Sequence, residues 1–324
     1  MTTLLDHRET RHAPTVTTTV TPAQRLRTTM AAVRVSFTWM GTKKSLSPEQ
    51  KAQAAEAFDA EGQVLSAAKK LLDTKQAAFR AVTTVRGKIA SYWKGISLPF
   101  PEAGVRLIKL DQVEEFASQM TAFKAELEDA VTNLNRHYTE LKSAASARLG
   151  SLYNPADYPE TLVGLFGVAW DFPSVEPPDY LMQLSPGLYE QERARVTARF
   201  EEAVALAEQA FLEEFARLVA HLTERVTDAQ GEGKVFRDSA VNNLREFFDR
   251  FRSLNVRSNA ELDQLVTQAQ QALRNTGAQA LRDSAALRQE VAGRLASVQS
   301  SLDALLVERP RRRILRQAVA PEGS

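Results

Sequence analysis

Chemistry in this chain would have to come from four kinds of side-chain grouping. The first is histidine. Only His7, His12, His137 and His221 occur in 324 residues. His7 and His12 fall in a Thr-rich leader. His137 and His221 sit on helix-like stretches without a second histidine or carboxylate at a spacing that defines a metal site or a general base. The second is paired carboxylate. Glu114-Glu115, Glu201-Glu202 and Glu213-Glu214 fall on long helical patterns, where solvated faces are the natural reading. A di-metal bundle needs inward Glu together with Glu-x-x-His, and no acid on these helical patterns is followed by His three residues on. The third is Gly231-Glu232-Gly233-Lys234, a fragment of a phosphate loop that no strand precedes, so it reads as an interhelical turn. The fourth is cysteine, which is absent. That excludes disulfides, thiolate zinc sites, iron–sulfur clusters and cysteine nucleophiles. It also fits a cytoplasmic location. The expectation is a chain with no enzymatic activity of its own and no cofactor or metal.

Recognition chemistry has more places to reside. Trp39, Trp93, Trp170, Tyr153, Tyr158 and Tyr180 gather near breaks in the helical pattern. Exposed loops on a rigid scaffold are where binding residues concentrate. The segment from Asn154 to Tyr180 is therefore the expected contact region, with Tyr158, Trp170 and Tyr180 as partner-binding residues. The tail holds Arg309, Arg311, Arg312, Arg313 and Arg316. Without interleaved aromatics these would make sequence-blind, salt-sensitive contacts to nucleic acid, and a solvated charge run is the plainer reading. Lys plus Arg number 41 against 40 Asp plus Glu, so the surface as a whole is not built for nucleic acid. The apolar run Leu162–Trp170 is too short to span a bilayer as a helix. It is either a core strand or the tongue of a helical pore-forming toxin.

The elements that must carry these residues are mostly helices. Val33, Val35, Phe37 and Trp39 alternate with polar residues and predict a strand. Ser47, Pro48 and Gln50 form a helix start with a capping box. From there Phe58, Leu65, Leu72, Phe79, Val82, Ile89 and Trp93 suggest one helix over about 48–94. Leu98-Pro99-Phe100-Pro101 is extended, and Val105–Ile108 predicts a short strand. Val113 through Leu149 repeats apolar residues at steps of three and four, a coiled-coil-like seam, ended by Gly150. Val168, Trp170 and Phe172 predict a second strand able to pair with the first at one end of the long helices. A third long helix follows over about 186–229, then shorter ones over about 234–253, from Ser258 or Asn259 to Leu273, and from Leu281 to Leu305. The expected fold is mainly α: an elongated bundle of long antiparallel helices with a small β cap. The expected organisation is a disordered leader over 1–29, a helical domain over 30–308 and a flexible Arg-rich tail over 309–324. The seam can be satisfied within one chain or across two, giving a monomer or homodimer.

These landmarks, in order, resemble an uncharacterised helical family of bacteria and phages, a domain of unknown function. The matching pieces are Val33–Trp39 with Gly41 and Lys43-Lys44; Leu98-Pro99 with Gly104 and Arg106; Leu149-Gly150 with Asn154 and Asp157-Tyr158-Pro159; Phe172-Pro173; and Phe236-Arg237-Asp238-Ser239 with Leu254-Asn255-Val256. They cover roughly residues 30–275. Thr42 stands where the family has a basic residue. The resemblance implies a gene on a phage or mobile element, beside a MoxR-type AAA+ ATPase and a von Willebrand factor A protein. The resulting expectation is a helical adaptor or scaffold for that ATPase or its von Willebrand factor A partner.

Overall fold

Thr21 and Gln24 start the first element. The Thr21 hydroxyl accepts from the Gln24 N–H and the Gln24 side chain accepts from the Thr21 N–H, with Pro22 at the first helical position. This capping box opens α1 (Pro22–Thr29), which buries Leu26. Residues 22–29 are thus helix, where the sequence reading placed a disordered leader. The computed structural model describes residues 20–228, 238–274 and 276–308. Residues 1–19, the turn Gly231–Lys234 and the tail arginines lie outside the described residues.

β1 (Met30–Trp39) follows directly, then β2 (Lys43–Ser45) and α2 (Pro48–Glu56). The Ser47–Gln50 capping box forms as its sequence predicts. The helix expected to reach residue 94 stops at Glu56 instead. Asp59 turns into the left-handed region with φ +48°, which Asp tolerates better than most residues. Gly62 packs so closely on α2 that a Cβ there would lie 2.8 Å from the Ala52 Cα. Phe58, counted from sequence as part of a buried stripe, is 81% exposed. With Phe58 out in solvent, the apolar spacing gains no burial here that would hold a helix. β3 (Ala68–Lys70) pairs antiparallel with β2, and α3 (Ala77–Gly95) then buries Phe79, Val82, Ile89 and Trp93.

β4 (Ser97–Pro99) and β5 (Val105–Lys109) form an antiparallel pair. The long seam is carried by α4 (Val113–Arg136) and α5 (Tyr138–Leu149). His137 interrupts it, donating its N–H back three residues to the Leu134 carbonyl. Gly150, at φ +52°, ends α5. β6 (Phe166–Asp171) completes the sheet. Then come α6 (Tyr180–Leu184) and the 43-residue α7 (Pro186–Asp228). Next are α8 (Asp238–Leu254) and α9 (Ala260–Ala272), the latter capped by Asn259. The last are α10 (Ala278–Asp283) and α11 (Ala285–Glu308).

The chain is mainly helical with a small sheet. Its sheet runs β4-β5-β1-β6, antiparallel throughout. The predicted pairing of the first strand with the 168–172 region is present: Phe37 faces Val168 and Val35 faces Trp170. The sheet is not a cap on the ends of the helices, however. Alternate residues of its strands enter two different cores. Ala32, Leu98, Val105 and Leu107 join a core made with α1, α7, α8, α9 and α11. Val33, Val35, Ile108, Phe166 and Val168 join a second core with α3, α4 and α5. The first core has an aromatic centre in which Phe215 and Phe247 stack at 5.1 Å between centroids, with Phe211 edge-on to Phe251.

Candidate interaction site on the sheet edge

Asn135, in the last turn of α4, accepts hydrogen bonds from the Leu162 N–H at 2.8 Å and the Thr161 hydroxyl at 3.1 Å. These fix the entry of the chain into β6. Gly164, at φ +83°, lies in the turn closed by the Leu165 N–H on the Leu162 carbonyl. Leu162, Phe166 and Val168 are buried, and Phe166 meets Trp39 edge-on at 4.9 Å. The apolar run 162–170 is therefore a turn and a strand that direct Leu162, Phe166 and Val168 to the core and leave Val163 and Ala169 exposed. Among the described residues, no helix is long and apolar enough to cross a membrane.

β6 is the last strand of its sheet, so one of its edges has no neighbouring strand. The Met40 N–H donates to the Leu165 carbonyl at 3.0 Å. Because hydrogen-bonded pairs alternate along an antiparallel ladder, Gly167, Ala169 and Asp171 bond inward to Thr38, Ser36 and Arg34. Phe166, Val168 and Trp170 then direct their N–H and C=O groups outward. Among the described residues these groups meet no backbone partner. On the face away from the second core, Ser36, Thr38, Ala169 and Asp171 are exposed, so the helices of the first core do not cover this end of the sheet. On the other face, the Arg86 guanidinium lies over Trp39 at 4.6 Å and Phe37 at 5.3 Å.

The loop before β6 is anchored by charge. β2 and β3 place Lys44 opposite Lys69, and Asp157 takes both: Oδ1 is 2.5 Å from the Lys44 Nζ and Oδ2 is 2.6 Å from the Lys69 Nζ. Lys69 also donates to the Leu152 carbonyl at 2.6 Å. The hydrogen bonds from Lys44 and then Lys69 hold the Asp157 carboxyl below its ordinary range. The Lys43-Lys44 and Asp157-Tyr158 landmarks, far apart in sequence, thus meet in space.

The three partner-binding candidates separate. Tyr158 is buried, donating its hydroxyl to the Leu71 carbonyl at 3.1 Å and packing its ring 5.1 Å from that of Tyr153. Burial, then Tyr153 and Asp157, push its hydroxyl above the ordinary range. It fastens the loop to the second core and presents no surface for a partner, because its ring and hydroxyl are already engaged. Trp170 is half-buried on the open edge. Tyr180 is 60% exposed on α6, near Met182 and Leu184, which are also exposed. Phe172, just beyond β6, is exposed and touches Phe116 edge-on. Arg309, Arg311, Arg312, Arg313 and Arg316 lie outside the described residues.

Sequence reading missed Lys69 because it placed residue 69 inside a helix. The signal available was the pair of lysine doublets, Lys43-Lys44 and Lys69-Lys70, either side of a segment containing Asp59 and Gly62. Arg86 left no such signal; only the register of β1 brings its helix over Trp39. Among the described residues, no group of three or more His, Asp or Glu is placed to hold a metal ion. His137 faces Glu140 at 3.4 Å on an exposed surface.

No family model matches the chain, and no match appears among curated proteins or solved structures.

Proposed function

We propose that the protein is a non-enzymatic helical adaptor or scaffold, working with a MoxR-type AAA+ ATPase or its von Willebrand factor A partner on a phage or mobile element. The observation that carries the reading is the open edge of β6. Natural sheets usually guard an edge with Lys, Pro, a bulge or a covering element. Phe166–Trp170 has no charge and no proline. Phe166 and Val168 are buried, so it is at the half-buried Trp170 that the outward N–H and C=O groups can take an extended strand from another chain. Trp170 on that edge and Phe172 just beyond it supply aromatic area, the kind of surface that dominates interface energies, and Tyr180 is a further exposed aromatic on α6. The elongated form belongs to the same proposal. α7 alone, at 43 residues, is roughly 65 Å long at 1.5 Å per residue, a rigid strut on which to present the edge.

The test is capture of the purified ATPase or von Willebrand factor A protein encoded beside this gene. Trp170→Pro deletes the accessible outward N–H while leaving the bonds to β1 in place. Wild type is expected to capture the partner, and a folded Trp170→Pro variant to lose it. Equal capture by both, or capture by neither, ends the reading.

A further inference from the structure

The opposite edge of the sheet carries a different chemistry. Arg106, on β5, reaches across β4 and donates from Nε to the Ser97 hydroxyl at 2.6 Å and from Nη2 to the Ser97 carbonyl at 2.8 Å. Ser97 is itself buried and donates its hydroxyl to the Trp93 carbonyl. A guanidinium has five N–H donors, so most of Arg106 remains uncommitted. Among the described residues no carboxylate lies within ion-pair distance of it. Burial, and next the neighbouring Arg250, push its guanidinium down to about 10.

Arg106 opens onto a cavity of about 180 Å³ between the sheet edge and the first core. Lys94 from α3, Glu214 from α7 and Arg250 from α8 also line it. Glu214 is already engaged by Arg250, whose guanidinium also lies 5.8 Å from the rings of Phe211 and Phe247. The cavity therefore gathers three cations against one carboxylate. Of these, Arg106 is partly buried with only neutral partners, which is costly without a counter-charge, and four separate elements converge to make the site.

We propose that this cavity is an oxyanion site that takes a phosphate, free or as the phosphoryl group of a larger molecule, between Arg106, Arg250 and Lys94. A phosphate dianion balances the two excess charges. Arg106 offers the planar fork that matches two oxygens of a phosphate, and Lys94, exposed at the mouth, adds a point charge. The site is independent of the β6 edge and of any protein partner.

The experiment is calorimetric titration of the full chain with inorganic phosphate, matched in ionic strength by chloride, and then with phenyl phosphate. Wild type is expected to bind phosphate saturably. Arg106→Lys, which keeps the charge and loses the fork, is expected to bind on the order of tenfold more weakly. Lys94→Gln, an exposed change that leaves the core untouched, is expected to weaken binding several-fold. Tighter binding of phenyl phosphate identifies a phosphoryl ester as the ligand; tighter binding of inorganic phosphate identifies the free ion. Absence of saturable binding by wild type overturns the proposal. So does phosphate affinity unchanged in Lys94→Gln and in whatever Arg106→Lys protein folds.

Discussion

Lys44 and Lys69 stand directly opposite each other on β2 and β3, and the carboxylate of Asp157 lies against both ammonium groups. Like charges facing across a strand pair repel. Here a residue 88 positions beyond Lys69 (157 − 69) converts the repulsion into attraction. The small strand pair and the loop that leads to β6 therefore hold each other in place.

Replacing Asp157 by Asn leaves Lys69, whose side chain is 6% exposed, with only a carbonyl partner. The expected loss is on the order of 3 kcal/mol at neutral pH, measured by urea denaturation. The pH dependence has a fixed sign. The native carboxyl is held below its ordinary value of 3.8. Its contribution is thus complete above that value and disappears as pH falls through the lower native one. The gap between wild type and Asp157→Asn should stay level from pH 5 to pH 7, as expected of a carboxylate already ionised, and narrow below about pH 4. A gap that persists unchanged in acid would assign the loss to packing instead.

Tyr158→Phe removes one buried hydroxyl donor and leaves the Leu71 carbonyl without it. The cost should be about 1 kcal/mol. Tyr158→Ala also empties the space beside Tyr153 and should cost about 3–5 kcal/mol. Both are read from the denaturation midpoint. Wild-type stability in Tyr158→Ala is the outcome incompatible with a buried anchor.

Gly62→Ala places a methyl group 2.8 Å from the Ala52 Cα and 2.9 Å from its nitrogen. Backbone cannot yield as a flexible side chain does. α2 must move away, at a cost of about 1–3 kcal/mol. Thermal melting detects it, and an unchanged midpoint would mean that this turn is not seated on α2.

Phe247 stacks on Phe215 at 5.1 Å and meets Phe211, Phe248 and Phe251. Phe247→Ala should cost about 3–5 kcal/mol. Phe58→Ala, at an 81% exposed position, should change stability by no more than about 0.5 kcal/mol. Equal losses at the two sites would contradict the assignment of one to the core and the other to the surface.

The parts of the fold that were legible in sequence are those governed by local rules. Strict alternation announced β1, the Ser47–Gln50 capping box announced α2, and Gly150 marked the end of the seam. What sequence could not supply was the facing surface. Phe58 and Leu65 keep a helical spacing, yet neither is buried, so the helix ends and β3 forms where Lys69 can reach Asp157. The candidate site was legible in the same partial way. The 154–180 segment drew attention through its aromatics, but spacing alone cannot tell a ring that faces inward, like Tyr158, from one that faces out, like Tyr180. The open edge depends on hydrogen-bond parity between β1 and β6, and parity is a property of a pair of strands.

Residues 30–34 pair with 105–109 on one side, and residues 34–39 pair with 166–171 on the other. During synthesis, β1 leaves the ribosome long before its second neighbour exists. A nascent chain that ends short of residue 166 carries β1 with that flank bare. Sheet contacts so distant in sequence close slowly, and exposed strand edges on incomplete chains are prone to pair wrongly. Translation past Asp171 is thus the point at which the growing polypeptide first becomes able to shield its own central strand.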